Sequence, residues 1–349
     1  MNENIYGEKM QRRLFIKPYD RMIKDIVDEI DKGMIVLDPD YQRNYVWKND
    51  KASLLVESIL LNIPIPVIYA SEDYEGKWII VDGLQRLYSL KRFFNDEFKL
   101  TNLETLSELN GKKFSNLEAF IKNKLERGEL RIIVLQNDSD ENIQFDIFMR
   151  LNRGSVTLNE QEMRNCLYRG SLNSLIKEIA SKNEYVKEVF PITKTNRMVT
   201  NELILRYLAI SENYNKESGS LLNYDGRIKN CLNNFMKEYQ NPNEEKLNYF
   251  KNKFEQQIKK SYSIFGKYAF RKEDGGNKIN ASLYECIMIA FENYSSEALL
   301  CKKQEILSKT KELISDINFE KSIDKATGNT ETLKYRLQTY IKAIKDIVE

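Results

Sequence analysis

Histidine is absent from all 349 residues of this chain. That absence excludes a Ser/His/Asp or Cys/His triad, a His-containing zinc site, and any nuclease centre built on a histidine general base. Chemistry here rests on carboxylates, Arg, Lys, Tyr, or a metal brought in by a ligand. Cysteine is sparse as well: Cys166, Cys231, Cys286 and Cys301 are widely separated, form no CxxC pair and show no disulfide spacing, which reads as reduced, mostly buried thiols. No run approaches the ~18 apolar residues of a membrane span. Residues 1–19 are polar and charged where a signal peptide would be apolar, so the expectation is a cytoplasmic protein with no membrane association. An excess of one charge is also lacking. With 54 basic against 52 acidic residues, a net charge of +2, there is no global nucleic-acid signature, which leaves room only for a local basic groove.

What is present is a globular composition, 42% hydrophobic and 30% charged, long enough for two domains that each bury a core. Short β-type runs alternate with helices from Phe15 to about Leu135, whereas nearly every later segment has helical periodicity. The spacing of Ile23, Ile26, Val27 and Ile30 predicts a helix ended by Gly33, followed by a strand at residues 35–37. A second helix begins near Asn49 or Asp50, carries Leu54, Leu55, Ile59 and Leu61, and stops before Pro64 and Pro66. Further strands are expected at residues 66–70, 78–81 and 130–135. Thr157 with Glu160 has capping-box spacing and predicts the start of another helix. Later helices are predicted near residues 172–181, 200–211, 226–239, 243–262, 281–293, 299–314 and 332–348. The domains are placed at 1–140 and 141–349, with residues 150–165 contributing to the site of the first.

Three clusters mix Arg with amide or acid groups beside a turn, the inventory for holding a phosphate and reading a base or ribose. They are Tyr41, Gln42, Arg43; then Asp82, Gly83, Leu84, Gln85, Arg86; then Arg150 to Gly154, followed by Gln161, Glu162, Arg164 and Asn165. The second lies where a strand gives way to a helix. Gly83 permits a sharp turn there, and the first helical turn leaves free N–H groups and a partial positive charge suited to phosphate. In the rear half, Tyr262, Phe265, Tyr268, Phe270 and Arg271 read either as core packing or as a base-stacking surface. The Lys-bearing stretches 251–260 and 334–345 read either as solvated faces or as a DNA groove.

Taken in order, Asp38 to Arg43, Tyr45 to Trp47, Glu57 to Leu60, Pro64 to Pro66, Val81 to Arg86, Phe148 to Ser155 and Leu158 to Asn165 resemble the N-terminal domain of GmrSD-type restriction enzymes. A looser likeness continues at residues 279–283, with Arg271, Asn277 and Asn280 as further neighbours of a pocket. The resemblance implies an α+β fold: a ParB/sulfiredoxin-like front domain with a small mixed sheet, then an all-helical domain. It also implies a component of a DNA-directed anti-phage restriction system that binds, and in the enzyme version hydrolyses, a nucleoside triphosphate with Mg²⁺. Carried over by position, Asp82, Gly83, Gln85 and Arg86 form the nucleotide motif; on physical grounds Asp82 and Gln85 would be its catalytic residues, Asp82 holding Mg²⁺ or orienting a water and Gln85 positioning that water or accepting from the nucleotide. Gly83, Arg86, Arg43, Asn152 and Arg164 would bind the nucleotide, with Arg86 and Arg43 neutralising phosphate.

Leu84 departs from the family's DGQQR motif, replacing the first of its two Gln residues, which leaves binding without turnover open. The missing histidine points away from the histidine-based nuclease module that many relatives append. DNA is the expected partner, together with a partner nuclease or a second copy of the chain. Two alternatives stand beside the NTPase reading: a ParB-like DNA-binding or adaptor protein using nucleotide as a switch, and a metal-dependent nuclease using Asp38, Asp40 and Asp82.

Overall fold

The computed structural model describes residues 14–37, 45–137, 139, 145–147, 149–150, 159–190, 198–272, 276 and 278–349. The chain forms two compact units, Met1–Leu167 and Tyr168–Glu349. The fold is α+β, as the sequence predicts: a five-stranded mixed sheet in the first unit, and helices with a minimal hairpin in the second. The division falls at Leu167/Tyr168 rather than after residue 140, because the helix at residues 160–167 packs on the sheet of the first unit.

The first unit runs β1 (Ile16–Met22), α1 (Ile23–Asp31), β2 (Ile35–Val36), α2 (Asn49–Leu60), β3 (Ile68–Glu72), β4 (Trp78–Asp82), α3 (Leu84–Phe94), α4 (Ala119–Glu126), β5 (Glu129–Leu135) and α5 (Glu160–Leu167). The strand order is β1-β5-β3-β4-β2, with β1/β5 and β3/β4 antiparallel and β3/β5 and β2/β4 parallel. Strand alternation sends Ile68, Ala70, Ile80, Ile132 and Val134 to one face, where they form the main core with Ile23, Ile26, Val27 and Ile30 of α1, Ala52, Leu55, Val56 and Ile59 of α2, and Leu87, Leu90 and Phe93 of α3. Val81 and Leu135 point to the other face and pack with Phe145 and Met163 of α5. The sheet is thus covered on both sides.

In α2 the buried stripe is Ala52, Leu55, Val56, Ile59 and Leu60, while Leu54 and Leu61 are exposed, contrary to the expected apolar face. The small Ala52 and Ser53 face inward, which turns Leu54 out. The capping box of α5 also differs from expectation. It joins Asn159 to Glu162, with Glu162 N–H donating to Asn159 Oδ1 at 2.8 Å and Asn159 N–H donating to Glu162 Oε2 at 2.8 Å. Thr157 lies outside the described residues.

The second unit comprises α6 (Ser171–Lys182), α7 (Glu184–Val189), α8 (Val199–Asn213), β6 (Tyr214–Asn215), β7 (Ser220–Leu221), α9 (Ile228–Glu238), α10 (Glu244–Phe265), α11 (Ala281–Ala290), α12 (Ser296–Cys301), α13 (Lys303–Ser315), α14 (Ile317–Asp324) and α15 (Thr330–Val348). The single helix expected over 299–314 is two, α12 and α13, separated at Lys302. At the centre α11 is buried on every side, and its Glu285 bridges Arg206 of α8 and Arg336 of α15. Phe270 is packing rather than a stacking platform, lying stacked on Phe190 and edge-on to Tyr284. Arg271 donates to the carbonyls of Lys267, Ala269 and Val189, and Asn280 caps α11, so both have local structural roles. Lys251 and Lys253 pair with Glu178 and Glu212 and Lys260 donates to the Phe291 carbonyl, which favours structural faces over a DNA groove for this stretch. The cysteines are free thiols, with Cys166 and Cys286 buried and Cys301 exposed. Among the described residues no helix is long and apolar enough to cross a membrane.

Candidate functional site

Asp82 ends β4 and Gly83 turns the chain into α3. Gly83 has φ +96°, in the left-handed region, and a Cβ there would lie 2.8 Å from Ile68 Cγ1, so both backbone and packing demand glycine. The register of β3 against β4 shifts between Tyr69 and Ala70, and Tyr69 is the residue opposite Asp82. Such an irregularity re-aims side chains at the end of a strand. Among the described residues no side chain caps α3. Its first-turn N–H groups, with the positive end of the helix dipole, therefore form an anion-favouring surface immediately after the Asp82 carboxylate.

Arg86 was expected to face phosphate, and the structure uses it otherwise. Its Nη2 donates to Asp82 Oδ2 at 2.8 Å and to the Val67 carbonyl at 3.3 Å, and its Nη1 donates to the Pro66 carbonyl. The Arg86 side chain is only 12% exposed against 37% for Asp82. Burial lowers the guanidinium pKa from its usual value, a pull opposed by the Asp82 carboxylate. A desolvated guanidinium needs acceptors, and the pair of carbonyls before β3 supplies them. Arg86 is thus a brace that fixes Asp82 and the chain leading into β3, while Asp82 Oδ1 receives no donor from the described residues.

Gln85, expected to position a reacting water, has its side-chain oxygen engaged by the backbone. Its Oε1 accepts the backbone N–H groups of Val46 at 3.2 Å and Trp47 at 3.3 Å. Tyr45 is held on the same helix: its hydroxyl is 2.9 Å from Ser89 Oγ, its ring lies 4.9 Å from Tyr88, and Arg92 sits 5.0 Å over it. On the other side of residues 38–44, β2 runs parallel to β4, pairing Val36 with Ile79, so the two strands end toward the same edge of the sheet. Both flanks of the Arg43 cluster are therefore tied to the strand and helix that carry residues 82–86.

Helix α5 packs against β4 on the second face of the sheet, with Met163 beside Val81, the neighbour of Asp82. Arg164 is fully buried, where a ligand contact was expected: it donates to Glu160 Oε2 at 2.9 Å and Gln161 Oε1 at 3.2 Å and lies 5.7 Å from the centre of the Phe145 ring. It anchors α5. Arg43 and Asn152, like Asp38 and Asp40, lie outside the described residues. Among the described residues no group of three His, Cys, Asp or Glu side chains is placed to hold a metal.

Residues 23–169 match the family model of the GmrSD restriction endonuclease, N-terminal domain. This stretch is a GmrSD N-terminal domain. It extends from α1 through α5 and so contains the Asp82 turn, the Arg86 brace, the Tyr45 anchor and the buried Arg164. No curated protein and no solved structure matches the chain. Within the GmrSD domain, sequence reasoning missed Pro66 and Val67 as partners of Arg86, and Val46 and Trp47 as partners of Gln85. Local pattern could not have found them, because they lie 19 to 39 residues away from the side chains they meet.

Proposed function

We propose that this chain is a nucleotide-binding component of a DNA-directed restriction system, with its nucleotide site at residues 82–86. The observation that carries the proposal is the start of α3, without a side-chain cap among the described residues, directly after Asp82 and the left-handed Gly83 turn, inside a GmrSD N-terminal domain. The residues fit a Mg²⁺-nucleoside triphosphate. Phosphate oxygens would take the backbone N–H groups of the first turn, where glycine allows close approach, and Asp82 Oδ1 would hold the metal, which needs only one or two carboxylates alongside phosphate oxygens. Bound Mg²⁺ would neutralise charge on the phosphates. Arg86 holds the Asp82 carboxylate in place, and Arg43 and Asn152 would complete the phosphate contacts.

A second reading, nucleotide as a switch without turnover, is favoured by one observation: Gln85 Oε1 is already engaged by two backbone N–H groups. The deciding experiment measures binding and phosphate release for ATP, GTP, CTP and UTP with Mg²⁺, with and without DNA. Release stimulated by DNA selects the NTPase, and binding without release selects the switch. Absence of binding by all four would overturn both.

A further inference from the structure

Gln85, Tyr88, Ser89 and Arg92 lie on one face of α3 at the i, i+3, i+4, i+7 spacing, and this face grips residues 45–47. Three of the four side chains meet Tyr45, through a hydroxyl, a ring and a cation. Only Gln85 reaches the backbone, and it takes two consecutive N–H groups on one oxygen. A carbonyl oxygen has two lone pairs, so the arrangement uses both. Two backbone donors held on one side chain fix the direction of the chain as well as its place. Residue 45 directly follows residues 38–44, which carry Tyr41, Gln42 and Arg43.

We propose that Gln85 is a positioning residue: it acts as an acceptor that registers the end of the Arg43-bearing stretch on the first turn of α3, and is not a group that meets the reacting phosphate. Its consequence for ligand binding rests on the nucleotide reading above, while the anchoring does not. What position 85 requires is an oxygen acceptor of the right reach, which a glutamate carboxylate supplies and an alanine lacks.

The test uses the full chain and hydrogen exchange at the Val46 and Trp47 amides. Gln85→Ala is expected to speed exchange at both amides by about fivefold or more, and Gln85→Glu to keep the wild-type protection. Unchanged exchange in Gln85→Ala overturns the proposal, as does loss of protection in a folded Gln85→Glu protein. Gln85→Glu also serves as the variant that keeps packing intact should Gln85→Ala fold poorly. Its added charge beside Asp82 restricts it to the exchange measurement. In the ligand arm, Gln85→Ala is expected to weaken MgATP or MgGTP binding about tenfold while the turnover rate of bound nucleotide stays within about twofold. A fall in turnover with unchanged affinity would instead make Gln85 catalytic and overturn the proposal. If the wild-type chain binds no nucleotide, the functional reading fails, and the anchor stands or falls on exchange alone.

Discussion

Glu285 is a fully buried carboxylate at the centre of the second unit, and replacing it by Gln tests the description of that core directly. Its Oε1 lies 2.8 Å from Arg206 Nη1 and its Oε2 2.5 Å from Arg336 Nη2. Arg206 has a second partner in Glu202 at 3.0 Å, and Arg336 donates to the Thr327 carbonyl at 2.7 Å, but the Nε atoms of both arginines are buried without a partner. Glutamine preserves volume and one acceptor, yet it turns an NH₂ donor toward a guanidinium donor and removes the central negative charge. Breaking one partner of a buried ionic cluster costs about 3–5 kcal/mol, a large share of a total stability of about 5–15 kcal/mol. The assay is urea unfolding followed by far-UV circular dichroism; both tryptophans, Trp47 and Trp78, lie in the first unit, so their fluorescence reports that unit separately. A loss below about 1 kcal/mol, the size of an ordinary point substitution, would refute the assignment. A Glu285→Leu, Arg206→Leu, Arg336→Met triple variant should recover stability, because it removes every buried charge of the cluster together. The pH dependence has a definite sign. Burial alone pushes the Glu285 pKa up, but Arg336 and Arg206 outweigh it and hold the carboxyl below its usual value. Its stabilising contribution is therefore present above the unfolded pKa of about 4.3 and lost as pH falls through the lower folded value. The Gln variant should lose less stability than wild type over that acid range.

Gly83→Ala combines left-handed strain of about 1–2 kcal/mol with overpacking against Ile68 of about 1–3 kcal/mol; an unchanged midpoint of the tryptophan fluorescence transition in urea would contradict the geometry. Arg86→Lys cannot span Asp82 and the carbonyls of Pro66 and Val67 with one ammonium, and should cost about 1.5–3 kcal/mol of first-unit stability; full retention in the same assay would show that the brace is not needed. Met163→Ala leaves a cavity between α5 and the sheet worth about 2–5 kcal/mol, checked by urea unfolding and by increased exchange in residues 160–167. Iodoacetamide on the native chain should alkylate the exposed Cys301 ahead of the buried Cys166 and Cys286; modification of Cys286 at a similar rate would contradict the burial of α11.

Much of the α+β order was legible because period 2 and period 3.6 change over at Gly and Pro. Ile23 to Ile30 and Trp78 to Val81 are clear cases. The missed elements have physical reasons. Strand β1 is exposed along most of its length and contains Lys17, Pro18, Asp20 and Arg21, so it shows no apolar alternation. It exists because β5 offers an edge, and Asp20 meets Arg131 there through two hydrogen bonds at 2.8 and 2.7 Å. Helices α7 and α14 are short, and their signals were the caps: Asn183 accepts from Val186 N–H, and Asp316 from Asn318 and Phe319 N–H. At the site, the Asp-Gly turn was legible from the sequence alone. The partners of Gln85 and Arg86 were not, since both depend on strands and loops brought together from afar.

The arrangement also bears on the departure at Leu84. Each side chain of residues 82–86 has a separate direction: Leu84 packs toward the main core, Gln85 holds residues 46–47, and Arg86 holds Asp82 and the carbonyls before β3. Among the described residues, that leaves the Asp82 carboxylate and the backbone of the first turn for the proposed ligand. A leucine at position 84 therefore strengthens packing without removing a group from that surface, so the substitution by itself gives no reason to expect weaker nucleotide binding. Whether turnover follows depends on what orients the attacking water. With Arg86 and Gln85 Oε1 holding the scaffold, the proposed NTPase reading would give that task to Asp82. Asp82→Asn separates the cases: it keeps an acceptor for Arg86 but weakens metal binding, so it should abolish Mg²⁺-dependent affinity while leaving the unfolding midpoint within about 1 kcal/mol. Retained Mg²⁺-dependent binding in a stable Asp82→Asn protein would move the metal to other carboxylates and end the role assigned to this turn.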